Sequence, residues 1–383
     1  MSYGARARHV RQDIMSLRSL RSLAGARRVL VALLCCAPLP PAVAHSAEQD
    51  PVAPAAAPIG IAEEQSRLAL RGFADVNFSR TTDSTRRDGF VLGQFVLHMS
   101  ASLGNKVTFF GETSFTAQHN TFAVEVERVS LRYDFDDRLK VSVGRFHTPL
   151  NYWNTAFHHG LWLQTTIGRP EMIRGGGSFQ PVHFVGLLAE GSVSVSAMQL
   201  GYNVGVGNGR DSNIARGGDA GDTNASRAWV ARIYARPSAL FGLEVGGSVY
   251  GDEIIRGDDR TGERILSGYV ALTRETPEII SEYARVHHRD DLTRLAYDSD
   301  AFYAQIAYRF ERQPRWKPYY RFEKIVTPEQ DPLIENLSAT LSTAGVRYEL
   351  SEYAALKAEY RHERRPANTG RTNGMFLQAA WTF

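Results

Sequence analysis

Residues 374–383 read GMFLQAAWTF. In an extended chain successive side chains point to opposite sides, so Met375, Leu377, Ala379, Trp381 and Phe383 share one face, and Phe376, Gln378, Ala380 and Thr382 the other. One face is oily and the other mixed. Ten residues alone suit the edge of a soluble sheet as well as a strand between lipid and water, so the rest of the chain decides.

The same period of two starts near Arg67 and runs to the end. Leu68, Leu70, Gly72, Ala74, Val76 and Phe78 alternate with Arg71, Phe73, Asp75 and Asn77. Further strands are expected at 89–104, 107–119, 122–135, 138–146, 179–190, 192–206, 226–235, 241–252, 263–275, 278–289, 301–312, 316–326, 337–350 and 353–365, which with the first and last makes sixteen. Tight connections (105–106, 136–137, 190–191, 237–240, 276–277, 313–314, 351–352) alternate with longer ones (81–88, 147–178, 207–225, 253–262, 290–300, 327–336, 366–373), with 120–121 the exception. An up-and-down transmembrane β-barrel has this asymmetry, and an even strand number leaves both ends of the barrel on one side. In 122–135 the apolar parity changes from even (Phe122, Val124, Val126) to odd (Val129, Leu131, Tyr133, Phe135), which predicts a β-bulge near Glu127-Arg128.

Composition agrees with strands as the crossing element. The 383 residues are 43% hydrophobic with a mean hydropathy of −0.29, and no run of 18 apolar residues exists to make a transmembrane helix. The net charge of +3 is misleading. Seven Arg and one Asp put +6 in the first 44 residues, leaving −3 for the rest, and no basic stripe suggests nucleic acid. Those 44 residues read as a secretory signal peptide: basic Arg18, Arg21, Arg27 and Arg28, an apolar run 29–37, then Ala42-Val43-Ala44 before a cut at His45, with Met15 an alternative start. Leu34 before Cys35 makes a poor lipobox. Cys35 and Cys36 both fall in this leader, so the mature chain carries no thiol. Residues 45–66, rich in Ala and Pro, read as a periplasmic spacer, and 67–383 as the barrel.

Sixteen strands enclose an aqueous channel, so the inner faces should be charged. Lys317, Arg321 and Glu323 alternate with Tyr320 and Phe322; Lys357, Glu359 and Arg361 alternate with Leu356, Ala358 and Tyr360; Arg309 alternates with Tyr308 and Phe310. The connection 147–178 is the longest and carries Tyr152, Trp153, Phe157 and Trp162, too aromatic for a solvated tail. It is expected to fold inward, narrow the pore and present Arg169, Arg174 and His147 to solutes, with Arg285 and His287 also on the pore wall.

The terminal strand, with Phe383 preceded by Trp381, resembles the closing strand and assembly signal of Gram-negative outer-membrane barrels. Gly144, Phe146 and Pro149 in GRFHTP resemble the motif after the fifth strand of phosphate-selective porin O and P type proteins. The resemblance implies a porin of the cell outer membrane, handled by the barrel-assembly machinery, surrounded by outer-membrane lipid and assembled as a homotrimer. It also implies passive diffusion of small hydrophilic solutes, ions or anions. With five lysines in the chain, any anion preference falls to Arg.

Other chemistries fit less well. His147, His158, His159 and His183 hint at metal, but adjacent histidines on extended backbone point apart and no Cys or carboxylate stands at ligand spacing, so neither metal nor cofactor is expected. Tyr283, Arg285, His287, His288, Asp290 and Asp291 lie at one strand end and would suit acid/base catalysis in a lipid-hydrolysing barrel, yet no nucleophile motif accompanies them. A non-conducting structural or adhesin barrel is the third class. GVGNGR at 205–210 precedes no helix and reads as a glycine turn, not a phosphate loop. A non-enzymatic channel is the expectation.

Overall fold

In the computed structural model residues 68–383 are described, apart from 87, 158, 174–178, 215–220, 222–223, 335–336 and 367–369. The expected leader and spacer, and Arg174, lie outside the described residues. Sixteen antiparallel strands close into a barrel in sequence order. They are β1 (Leu68–Thr81), β2 (Gly89–Ser102), β3 (Val107–Gln118), β4 (Thr121–Asp136), β5 (Leu139–His147), β6 (His183–Val195), β7 (Met198–Asn208), β8 (Ala228–Pro237), β9 (Leu243–Arg256), β10 (Asp259–Thr273), β11 (Glu278–Asp290), β12 (Ala296–Ala307), β13 (Trp316–Val326), β14 (Ala339–Ser351), β15 (Ala354–Arg364) and β16 (Arg371–Thr382). At 9 to 16 residues all are long enough to cross hydrocarbon at a tilt.

Closure is made by β1 and β16, paired from Phe73↔Thr382 to Thr81↔Gly374. Gly72 and Phe383 exchange backbone hydrogen bonds of 2.8 and 3.0 Å. The Phe383 ring occupies the place a Cβ on Gly72 would need and stacks on Phe95 at 5.8 Å. The oily face of the terminal strand points outward, with Leu377 43% and Met375 53% exposed. The same holds around the wall, where Leu70, Val124, Leu187, Ile233, Leu266 and Ile306 are exposed.

The bulge expected in β4 is present: Glu112 pairs with Arg128 and Thr113 with Val126, which leaves Glu127 unopposed. Three boundaries differ from expectation. The β6–β7 turn is at 196–197, with Ser196 at φ 53, rather than at 190–191. The 253–262 stretch is ladder on both sides of a tight turn at Gly257 (φ 61). Strand β12 runs Ala296–Ala307 rather than 301–312, so Arg309 lies in the β12–β13 turn.

The core sits inside the barrel. Leu150, Trp153, Met172, Ile173, Phe179 and Val182 from the β5–β6 connection pack on inward residues of β8 to β13, among them Val230, Tyr250, Ile265, Ile280, Ala284 and Tyr303. The inner faces were expected to carry charge, and this arc of them is apolar instead. An aromatic connection folded among the strands needs apolar partners, and this arc of the wall supplies them.

Candidate functional site

Among its described residues the β5–β6 connection (148–182) has little regular structure, a four-residue helix α1 (Trp153–Ala156) and a 3-10 turn (Glu171–Ile173). Its backbone groups therefore need partners from elsewhere. The inward charges supply them. Glu282 on β11 accepts from the N–H of Tyr152 at 2.9 Å and of Trp153 at 2.6 Å. Glu359 accepts from the Ile167 N–H at 2.6 Å and Glu323 from the Glu171 N–H at 2.5 Å. Lys357 donates to the carbonyls of Leu161, Gln164 and Thr166 at 2.5, 2.8 and 3.1 Å. Arg347 donates to Trp162 and Gln164, at 2.5 and 2.9 Å, and Arg321 to Gly168 and Arg169, at 2.9 and 3.1 Å. Partners on β9, through Ser248, and on β11, β13, β14 and β15 tie the one connection to widely separated staves.

This changes the role of several expected pore-lining residues. Lys317, Arg321, Glu323, Lys357 and Glu359 do face inward, but all are buried, because their charged ends are spent on loop backbone or on each other. Lys317 bonds Glu278 at 2.8 Å and Glu275 at 2.9 Å. Arg361 pairs with Glu359 at 2.5 Å and lies 4.1 Å over the Phe376 ring. Arg285 and His287 are corrected outright. Strand alternation sets them on the outer face, where they pair with Asp300 and Asp298, both at 2.8 Å, while Ala284, Val286 and His288 face in. Tyr283 and His288 of the expected acid/base cluster are thereby on opposite sides of the wall. Arg309 bridges Glu275 at 2.7 Å and Glu349 at 2.9 Å at the turn end of the barrel.

Below the loop, at that turn end, is a cavity of ≈ 710 Å³ lined by Tyr152, Trp162, Glu275, Glu278, Arg309, Lys317, Arg347 and Glu349. Its charges are mixed. A second recess of ≈ 410 Å³ lies beside it, with Tyr152 and Thr273 in both walls and Arg236 and Glu244 at its own edge. Glu278, Glu282 and Arg347 were not singled out by sequence, although each sits at an inward position of an alternating strand.

Two further groups of inward side chains stand out. His147, at the end of β5, comes together with His159 and His183 around Glu127, whose Oε2 is 3.1 Å from the Nε2 of both His159 and His183. The expectation that adjacent histidines point apart does not bear on this convergence, which joins His147, His159 and His183 from three different segments; His158 lies outside the described residues. Arg169 is near enough to Glu127 and Glu112 for their charges to act on it. At the loop end, His288 bonds Glu263 at 2.8 Å and Asp331 at 2.7 Å, and Arg210 bonds Glu263 at 2.7 Å, which pins the β7–β8 and β13–β14 connections inward.

Burial alone would raise the Asp331 carboxyl, but the hydrogen bond and charge of His288, with the N–H groups of Leu333 and Ile334, hold it below its ordinary 3.8. A depressed acid stabilises above its unfolded value and loses that contribution as pH falls through the lower folded one. A spin label at exposed Gln330 is therefore expected to be immobile at neutral pH and to gain mobility in acid below 3.8. In Asp331→Asn it should be mobile at both; equal spectra for the two proteins would break this reading.

No protein-family model and no curated protein matches the chain. Solved structures do match in fold. An anion-selective porin from Comamonas acidovorans superposes with a TM-score of 0.60 at 11% identity, over 82% of this chain and 99% of that one. The outer membrane channel DcaP of Acinetobacter baumannii gives 0.58 at 11%, over 82% and 97%. The trimer form of OmpT, an outer membrane protein of Vibrio cholerae, gives 0.54 at 13%, over 82% and 99%. The chain thus has the porin-type fold of outer-membrane barrels. A closed barrel that exposes a belt of Leu, Val, Ile and Phe on its outer side belongs in lipid.

Proposed function

We propose that the chain is a restricted outer-membrane channel for small hydrophilic solutes and ions, in which residues 148–182 lie across the pore as its constriction. The observation that carries the reading is the set of hydrogen bonds from Lys357, Arg347 and Arg321 to carbonyls of 161–169, which hold the loop to the wall from β13, β14 and β15. Solutes leaving the constriction enter the ≈ 710 Å³ chamber, where Arg309, Arg315, Lys317 and Arg347 face Glu275, Glu278, Glu349 and Glu352. Four cations against four carboxylates set no strong ion preference, so the reading favours small uncharged or zwitterionic solutes over phosphate. The resemblance to phosphate-selective porins therefore carries over as architecture and not as selectivity. The same reading carries a homotrimer, the form in which the Vibrio protein is described.

Single-channel recording tests it. Wild-type barrels in a planar bilayer are expected to give small steps, and Lys357→Met larger ones, because three loop carbonyls lose a charged donor worth about 1.5–3 kcal/mol per bond. Heat-modifiable mobility on gels checks that the variant barrel is closed. Silence from both proteins would instead identify a non-conducting scaffold.

A further inference from the structure

We propose that His147, His159, His183 and Glu127 form a binding site for one divalent transition-metal ion, Zn2+ by preference, that staples the middle of the 148–182 connection to the barrel wall. The three imidazoles offer nitrogens all within 4.8 Å of one another, and each histidine is buried. Their rings stand 5.4 to 6.2 Å apart by centroid, His159 and His183 nearly parallel at 14°. Glu127 contributes the fourth direction through Oε2, 3.1 Å from two of the nitrogens. Tetrahedral Zn2+ with bonds of about 2.0–2.1 Å needs ligand atoms roughly 3.3 Å apart. The carboxylate contacts already meet that spacing, and side-chain rotation of about 1.5 Å closes the rest.

The surroundings resemble a supported site. Glu127 is fixed by the Ser114 hydroxyl, which donates to Oε1 at 2.6 Å. Glu112, 3.8 Å from His147 Nε2, is itself held by His98 at 3.0 Å and by Arg128. Such outer partners orient ligands and keep their basicity. Two nearby arginines, Arg128 and Arg169, offset the two carboxylates, so attraction rests on imidazole nitrogen rather than on net negative charge. That excludes Ca2+ and Mg2+, which want oxygen, and selects the borderline ions Zn2+, Cu2+ and Ni2+. The path of the chain explains the assembly. The β4 bulge sets Glu127 out of the ladder, β5 ends on His147, β6 begins on His183, and the loop between brings His159 back to them.

The test uses the folded full-length barrel in detergent, stripped with chelator and titrated with Zn2+ by calorimetry and with Co2+ by visible absorption. One equivalent per chain is expected, with the ligand-field bands of a four-coordinate Co2+ site. His159→Ala, in the loop and outside the strand ladder, should lose the equivalent. Glu127→Gln should weaken it by about tenfold or more, the loss usual even for outer-shell partners. His287→Ala, on the outer face, should bind as the wild type does. If His159→Ala fails to fold, X-ray absorption of Zn2+-loaded wild type decides, three imidazoles and one oxygen at about 2.0 Å supporting the site. No saturable equivalent in the wild type, undiminished binding in a folded His159→Ala, or a shell poor in imidazole would each overturn the proposal.

Discussion

Trp153→Ala is expected to free residues 148–182 from the lumen while leaving the sixteen-stranded wall closed. Trp153 is fully buried, 5.0 Å from the Phe157 ring and edge-on to Tyr303 at 6.2 Å, with the Arg321 guanidinium 5.9 Å from its ring. Truncating a buried Trp costs about 3–5 kcal/mol in lost transfer and residual cavity. That loss falls on the docking of the loop, because the strand ladders are backbone hydrogen bonds that do not pass through Trp153. Two readouts follow. Protease should nick the folded variant within 148–182 where it leaves the wild type whole, and channel conductance should rise by more than in Lys357→Met, since the whole apolar face of the loop loses its anchor. Trp316→Ala is the control: Trp316 is outward and 42% exposed, so neither readout should move. Equal protection of the loop in wild type and Trp153→Ala would mean that the loop is held by its polar contacts alone.

The outer surface was legible in the sequence because lipid imposes one rule on every second residue. Val124, Val126, Val129 and Leu131 obey it even across the bulge, and the parity change between them located Glu127 to within a residue. Strand ends were less legible, because a strand continues past the apolar belt into polar surroundings. Asp298 and Asp300 read as loop yet are ladder residues, their carboxylates facing His287 and Arg285 on the next strand. Glu190-Gly191 has the composition of a turn and the real turn at Ser196 does not.

The interior followed a different logic. Lys317, Arg321, Lys357 and Glu359 face inward and are buried, and alternation cannot say whether an inward charge meets water or a folded loop. Here it meets carbonyls and N–H groups of 148–182. The histidine cluster was half legible: the sequence singled out His147, His159 and His183 but set metal aside, since no carboxylate stood at ligand spacing. His147 and His183 become neighbours through β5–β6 pairing, which register could have suggested, whereas His159 arrives by the path of an irregular loop that no periodicity encodes.

Gly144→Val is expected to have the largest effect on the wall itself. Gly144 has φ +141, a conformation L side chains rarely adopt, and a Cβ there would stand 2.0 Å from the carbonyl oxygen of Val129 on β4. Backbone held in such a region costs about 1–3 kcal/mol for a residue with a side chain. The clash adds to this, since the opposing atom is backbone in a paired strand and cannot rotate away. Only by prising β4 away from β5 near Val129↔Arg145 could the variant relieve it, and a barrel cannot separate neighbouring staves without exposing unpaired N–H and C=O groups to lipid. The result expected is a protein that expresses but does not reach the compact, heat-modifiable form in detergent or lipid. Gly144→Ala meets the same φ and the same Cβ contact and should be impaired likewise, the two further methyls of Val adding to the defect. Gly104→Ala, where nothing lies within 4 Å of the new methyl, should match wild type. The motif glycine is thus required by the close approach of two strands beside the bulge, and the Phe146 and Pro149 that follow it, both buried, aim the chain from that point into the lumen. If Gly144→Val assembled normally, the link from bulge to strand β5 to loop entry would be wrong, and with it the account of why the loop turns inward.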